Sequence, residues 1–124
     1  VTLFFTFWGL TLLRKDRTVS TKKTLTEKMF GFMLPKGAKS MSLSKMHMGG
    51  MGTSMMKAEM RKKNVMDLSE LIAQAQASGV RLVACTMSMD IMGIKKEELI
   101  DGIEYGGVGY YLDKADQSNF NLFI

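Results

Sequence analysis

The sequence has one cysteine (Cys85), one proline (Pro35) and one histidine (His47). A lone cysteine excludes an intrachain disulfide framework and fits a reducing compartment, so a cytoplasmic location is expected. One proline excludes proline-rich linkers and collagen-like segments. The most apolar stretch, residues 1–13, is too short to cross ~30 Å of hydrocarbon as a helix. It also lacks the basic leader and small-residue cleavage site of a secretory signal. Gly49-Gly50-Met51-Gly52 is not followed by Lys-Ser/Thr, and no G-x-G-x-x-G follows a strand, so P-loop and dinucleotide sites are not expected. The basic stretch has no regular aromatic interleaving, which argues against nucleic acid as a partner.

What remains is a chain of globular composition. It has 124 residues, 46% of them hydrophobic and 23% charged, the size and balance of a single domain spanning 1–124. The net charge of +5 is unevenly spread. Residues 14–45 carry nine Lys/Arg against Asp16 and Glu27, whereas residues from Asn64 onward carry four basic groups against nine acidic ones. Such asymmetry points to an anionic partner or to the acidic half of another copy of the chain.

The order of elements predicts an α/β fold. Thr2 to Trp8 is β-branched and aromatic on both alternating faces, which suits a buried parallel strand, and residues 1–13 as a whole read as such a strand with an upstream neighbour missing. Residues 16–48 are polar and basic with short apolar clusters, broken at Pro35 and Gly37. Loops and short helical turns are expected there, giving a basic, Met-rich insertion at about 14–52. A helix over Thr53 to Lys63 follows. Asp67 and Glu70 form a D-x-x-E capping box ahead of a helix that Gly79 closes. Val80 to Ala84 is the clearest strand. Helical patterns then run from Cys85 to Gly93 and from Lys95 to Ile100. Ile103 to Tyr105 reads as a strand, Gly107 to Asp116 as a helix, and Phe120 to Ile124 as a closing strand.

In open parallel sheets, ligands sit beyond the carboxyl ends of the strands, and Cys85 occupies that position. A thiolate beside free helical N–H groups is stabilised there, whereas Asp90 nearby opposes it. Ser88 is placed to cap the helix or to hydrogen-bond an anion at the sulfur. A lone cysteine at a strand end is equally often a small buried hydrophobe.

The run Cys85-Thr86-Met87-Ser88-Met89-Asp90-Ile91-Met92-Gly93-Ile94, with Glu98-Leu99-Ile100-Asp101-Gly102-Ile103-Glu104-Tyr105-Gly106-Gly107 after it, closely resembles the DsrE/DsrF-like family of sulfur-relay proteins. Phe4-Phe5-Thr6-Phe7-Trp8-Gly9-Leu10 and Lys45-Met46-His47-Met48-Gly49-Gly50-Met51-Gly52 resemble further signatures of one branch. The resemblance covers essentially the whole chain. It implies a flavodoxin-like three-layer sandwich with a mostly parallel sheet, opening here at what corresponds to the second strand. It also implies a homo-oligomer, trimer or hexamer, and sulfane sulfur carried as a persulfide on Cys85. Thr86, Met87, Ser88, Trp8, Gly9, Gly49 and Gly50 are the expected binding residues. The expected partners are sulfur donor and acceptor proteins or small sulfur anions. The alternative is a non-catalytic ligand-binding or protein-interaction module on the same fold, with Cys85 inert.

Other features have blander readings. Ten of the thirteen methionines lie between Met29 and Met66. Met46, His47, Met48 and Met51 could ligate Cu(I), but flexible thioethers more often fill irregular cores, so neither metal nor cofactor is expected. His47 is the one ordinary general base near neutral pH, though far from Cys85 in sequence. Trp8 is expected either to wall the pocket or to lie in the core. The glycines at 49–52 are expected to allow close backbone approach beside the Cys85 loop, and Gly106, Gly107 and Gly109 to serve helix–strand packing. Met29 to Leu34, flanked by Lys28 and Lys36, is expected as a buried cluster, a membrane contact being at most peripheral.

Overall fold

The structure, a computed structural model, describes residues 1–16, 24–40 and 48–124. At its centre is a parallel sheet in the order β1 (Thr2–Phe5), β2 (Arg81–Cys85), β3 (Glu104–Gly106). Helices α1 (Leu25–Met33), α2 (Met51–Lys62) and α3 (Leu68–Ala77) lie between β1 and β2. Helix α4 (Thr86–Met92) connects β2 to β3, and α5 (Val108–Asp116) follows β3. This is the α/β architecture expected, a parallel sheet flanked by helices in the manner of a flavodoxin-like sandwich.

Register decides which side chains share a face. Phe5 pairs with Ala84 and Ala84 with Tyr105, while Phe4 pairs with Val83 and Val83 with Glu104. On one face Leu82 and Ala84 meet Leu10, Leu13, Met89, Ile94 and Leu99, with Phe5, Ile72 and Tyr105 packed around them. On the other face Phe4 stacks on Tyr110 (6.5 Å between centroids) and meets the tilted ring of Tyr111 (5.4 Å), so α5 covers that side.

The capping box forms as its residues dictate: Asp67 Oδ1 accepts from Glu70 N–H (2.9 Å) and Glu70 Oε2 from Asp67 N–H (2.8 Å). Hydrogen bonds from Ser69 and from the Glu70 amide hold the Asp67 carboxyl below its ordinary range. At the far end, Ser78 caps α3 and Gly79 turns with φ +80°.

Below the sheet edge a buried ion pair ties the chain together. Arg14 Nη2 donates to Glu98 Oε1 (3.0 Å), and its Nη1 donates to the carbonyls of Pro35 (3.2 Å) and Leu34 (3.4 Å). Both side chains are at most 7% exposed. Geometry of this kind satisfies the charges, and removing one partner would strand the other in the interior.

Four expectations are corrected. The first strand stops at Phe5, because Phe7 turns with φ +39° and a 3-10 segment, Phe7–Leu13, begins. Gly9 N–H donates to Thr6 O (2.8 Å) and Thr11 Oγ1 to Trp8 O (2.6 Å), which close its first turns. Leu10 and Leu13, three apart, fall on one side of such a helix and are fully buried. A continuous apolar run satisfies either period, so sequence alone does not separate the two. Second, the basic stretch contains a nine-residue helix, α1, longer than the short helical turns expected among its loops. Third, Met29, Phe32 and Met33 are exposed, and among the described side chains of that cluster only Leu34 is buried. With Leu25 they form an outward apolar stripe at spacings of four, seven and eight. Fourth, Phe120 to Ile124 forms no strand. The tail is exposed, and Asn121 Nδ2 hydrogen-bonds Ala115 O (3.0 Å) at the end of α5 without any partner strand beside it.

Candidate functional site

β2 is central, paired on both sides, and its carboxyl end carries Cys85. Cys85 pairs with Gly106 and is the N-cap residue of α4. It is a free thiol, 2% exposed, and makes no side-chain capping bond. Strand alternation puts its side chain on the face of Phe4 and Val83, the one that α5 covers.

Gly106 shows how closely α5 approaches. A Cβ at that position would stand 2.8 Å from Tyr110 Cγ, so the tyrosine ring occupies the space a side chain would need. The expected helix–strand packing role therefore holds for Gly106. A Cβ on Gly107 would find Thr86 Oγ1 at 3.9 Å, an ordinary contact, and one on Gly109 would meet nothing.

A polar clasp fixes α5 at its other edge. Arg81 Nε and Nη2 donate to the two carboxylate oxygens of Glu104 (2.8 and 2.7 Å), and Tyr110 Oη donates to Glu104 Oε2 (3.1 Å). The Arg81 hydrogen bond, helped by that of Tyr110, lowers the Glu104 carboxyl below its usual value, and Glu104 in turn raises Arg81. The Arg81 and Lys114 cations lie 5.9 and 5.6 Å from the Tyr110 ring centre. None of Arg81, Glu104 or Tyr110 was singled out from sequence. The signal available was a glycine at the strand end followed four residues later by a tyrosine.

The expected binding residues divide. Thr86, Met87 and Ser88 follow Cys85 in α4, half-buried, exposed and fully buried respectively. Ser88 neither caps the helix nor finds any other partner: its Oγ is buried without a hydrogen bond among the described residues. Because the strands run parallel, the segment leaving β1 with Trp8 and Gly9 lies at the same sheet end as Cys85. Trp8 is 54% exposed, so it is not core. Gly49 and Gly50 precede α2 in left-handed conformations (φ +67° and +97°), with nothing among the described residues within 4 Å of where a Cβ would be. Their requirement is a positive φ, not close backbone approach.

His47 and Met46 fall outside the described residues. Met51, of the expected thioether set, is exposed. Two grooves, of about 480 and 350 Å³, flank α3 and take in none of the expected site residues. No described helix is long and apolar enough to cross a membrane.

With this geometry in view, comparison with known proteins is informative. A model of the DsrE/DsrF/DrsH-like family matches residues 1–123. The chain belongs to that family. It is 52% identical over 124 residues to the uncharacterized protein YrkE of Bacillus subtilis, covering all of this chain and 78% of that protein. It is also 34% identical over 128 aligned residues to the sulfur carrier protein DsrE2 of Allochromatium vinosum, covering all of this chain and 79% of that protein.

Proposed function

We propose that this chain is a sulfur carrier that holds sulfane sulfur as a persulfide on Cys85 and passes it to a partner thiol. The observation that carries the reading is the position of its one thiol, at the carboxyl end of the central strand where α4 begins, in a chain of the family to which DsrE2 belongs. Loading is a displacement: the Cys85 thiolate attacks the sulfane sulfur of a persulfide or polysulfide, a new S–S bond forms, and the donor leaves as a thiolate with the bonding pair. A partner thiolate then attacks the outer sulfur and regenerates the Cys85 thiolate. Within these 124 residues no second cysteine is present to take the outer sulfur through a disulfide.

Thr86, Met87 and Ser88 in the first turn of α4, and Trp8 and Gly9 at the neighbouring strand end, are the residues we place around the sulfur; Gly49 and Gly50 have no support as members of that group. We read residues 1–124 as one domain that acts in a cytoplasmic homo-oligomer, and the outward stripes of α1 and α5 as surfaces for other copies or for donor and acceptor proteins. The basic first half suits small sulfur anions or an acidic partner.

One observation favours the second reading. At 2% exposure Cys85 resembles an inert buried thiol, which is what a non-catalytic module on this fold would hold. Under the carrier reading, donor access requires movement of the cover, and α5, whose Tyr110 and Tyr111 lie against Phe4, is the part of it on this face. Incubation with polysulfide followed by intact-mass measurement separates the two. The carrier gains whole sulfur atoms that Cys85→Ser does not gain; a wild-type protein that stays unmodified would leave only the module.

A further inference from the structure

Among the described residues one buried side-chain polar atom has no hydrogen bond, and it lies in the turn that follows the thiol: Ser88 Oγ, in a residue that is 0% exposed. A hydroxyl in a helix ordinarily bonds a carbonyl one turn back or faces water. Ser88 does neither. Leaving such a group unpaired inside a protein costs about 1–3 kcal/mol, so an alanine would serve the resting fold at least as well. Cys85 and Ser88 are the N-cap and third positions of α4, the two positions that a capping box links side chain to backbone across the first turn of a helix. In the reduced protein no hydrogen bond joins the two. An added sulfur extends the Cys85 side chain by about 2 Å, the length of an S–S bond.

We propose that Ser88 is the donor that receives the outer sulfur of the loaded protein: its O–H hydrogen-bonds the terminal sulfur anion of the Cys85 persulfide. The inference rests on the carrier reading and deepens it by naming the group that recognises the cargo. The orphaned hydroxyl is then a ligand site held empty in the reduced state. A hydrogen bond to an ion of this kind is expected to slow loss of the outer sulfur by about tenfold.

The test compares wild type, Ser88→Ala, Ser88→Thr and Cys85→Ser after loading with inorganic polysulfide. Loading is read by intact mass. Release is read as thiocyanate formed with cyanide, in which a C–S bond forms, the persulfide S–S bond breaks and Cys85 leaves as thiolate. Ser88→Ala should fold with an unchanged or higher melting temperature and alkylate at Cys85 like wild type when unloaded, yet lose its outer sulfur about tenfold faster. Ser88→Thr, which keeps the hydroxyl, should restore the slow release. Wild-type release rates in Ser88→Ala overturn the proposal while leaving the carrier reading intact. A marked fall in melting temperature in Ser88→Ala also overturns it, because the hydroxyl would then serve the fold. If wild type gains no sulfur, the carrier reading fails and this one with it.

Discussion

The two faces of the sheet are built differently. One is closed by Leu10 and Leu13 of the 3-10 segment, Met89 of α4, Leu99 and Ile72, around Leu82 and Ala84. The other, which carries Phe4, Val83 and Cys85, is covered by α5, a helix with no buried residue, held by two tyrosines and the Arg81–Glu104 clasp. Dense apolar packing makes a face costly to open; a thin cover held by ring stacking and exposed polar contacts opens locally at lower free energy. The thiol is on the second face. The buried sulfur therefore lies on the face that α5 covers, and Gly106 lets that cover sit close.

The contrast is sharpest in core truncations. Leu82→Ala on the dense face should cost about 2–5 kcal/mol in urea unfolding, and Val83→Ala on the α5 face about half as much. Equal losses would erase the distinction. Acid should act on the α5 side through Glu104 and at the start of α3 through Asp67. The Glu104 carboxyl is lowered in the fold by Arg81, so its contribution is fully present above its ordinary 4.5 and fades as pH falls through the lowered value. Hydrogen exchange of α5 amides should therefore speed up in acid before that of β2, and Glu104→Gln should loosen α5 at neutral pH. Exchange that rises together in both elements would show that α5 does not open as a unit. The smallest effect is expected in the tail. Phe123→Ser should shift stability by less than about 0.5 kcal/mol, since its side chain is already in solvent.

Much of the framework was legible. The Asp67/Glu70 box, the Val80–Ala84 strand and the helix after Cys85 are local signals, each satisfied by residues within a few positions, and the structure places them within a residue or two. The long resemblance from Cys85 onward marked the family and the candidate thiol. What was misread has two causes. Phe7 to Leu13 and Phe120 to Ile124 are short apolar runs that fit strand or helix equally, and a strand exists only where a neighbour offers its edge. Residues 25–33 carry a helix whose apolar stripe points outward, the reverse of what burial arguments assume.

The amino-acid order by itself determined the parallel α/β class, the single thiol at a strand end, the capped helices and the basic first half, because each depends on nearest neighbours or on composition. Only the tertiary structure decided that Cys85 is buried, that α5 and its tyrosines cover its face, that Arg14 meets Glu98 across 84 positions, and that Ser88 Oγ has no partner among the described residues. Those facts depend on which distant segments pack together, and free energy of that kind is set by shape in three dimensions and not by spacing along the chain.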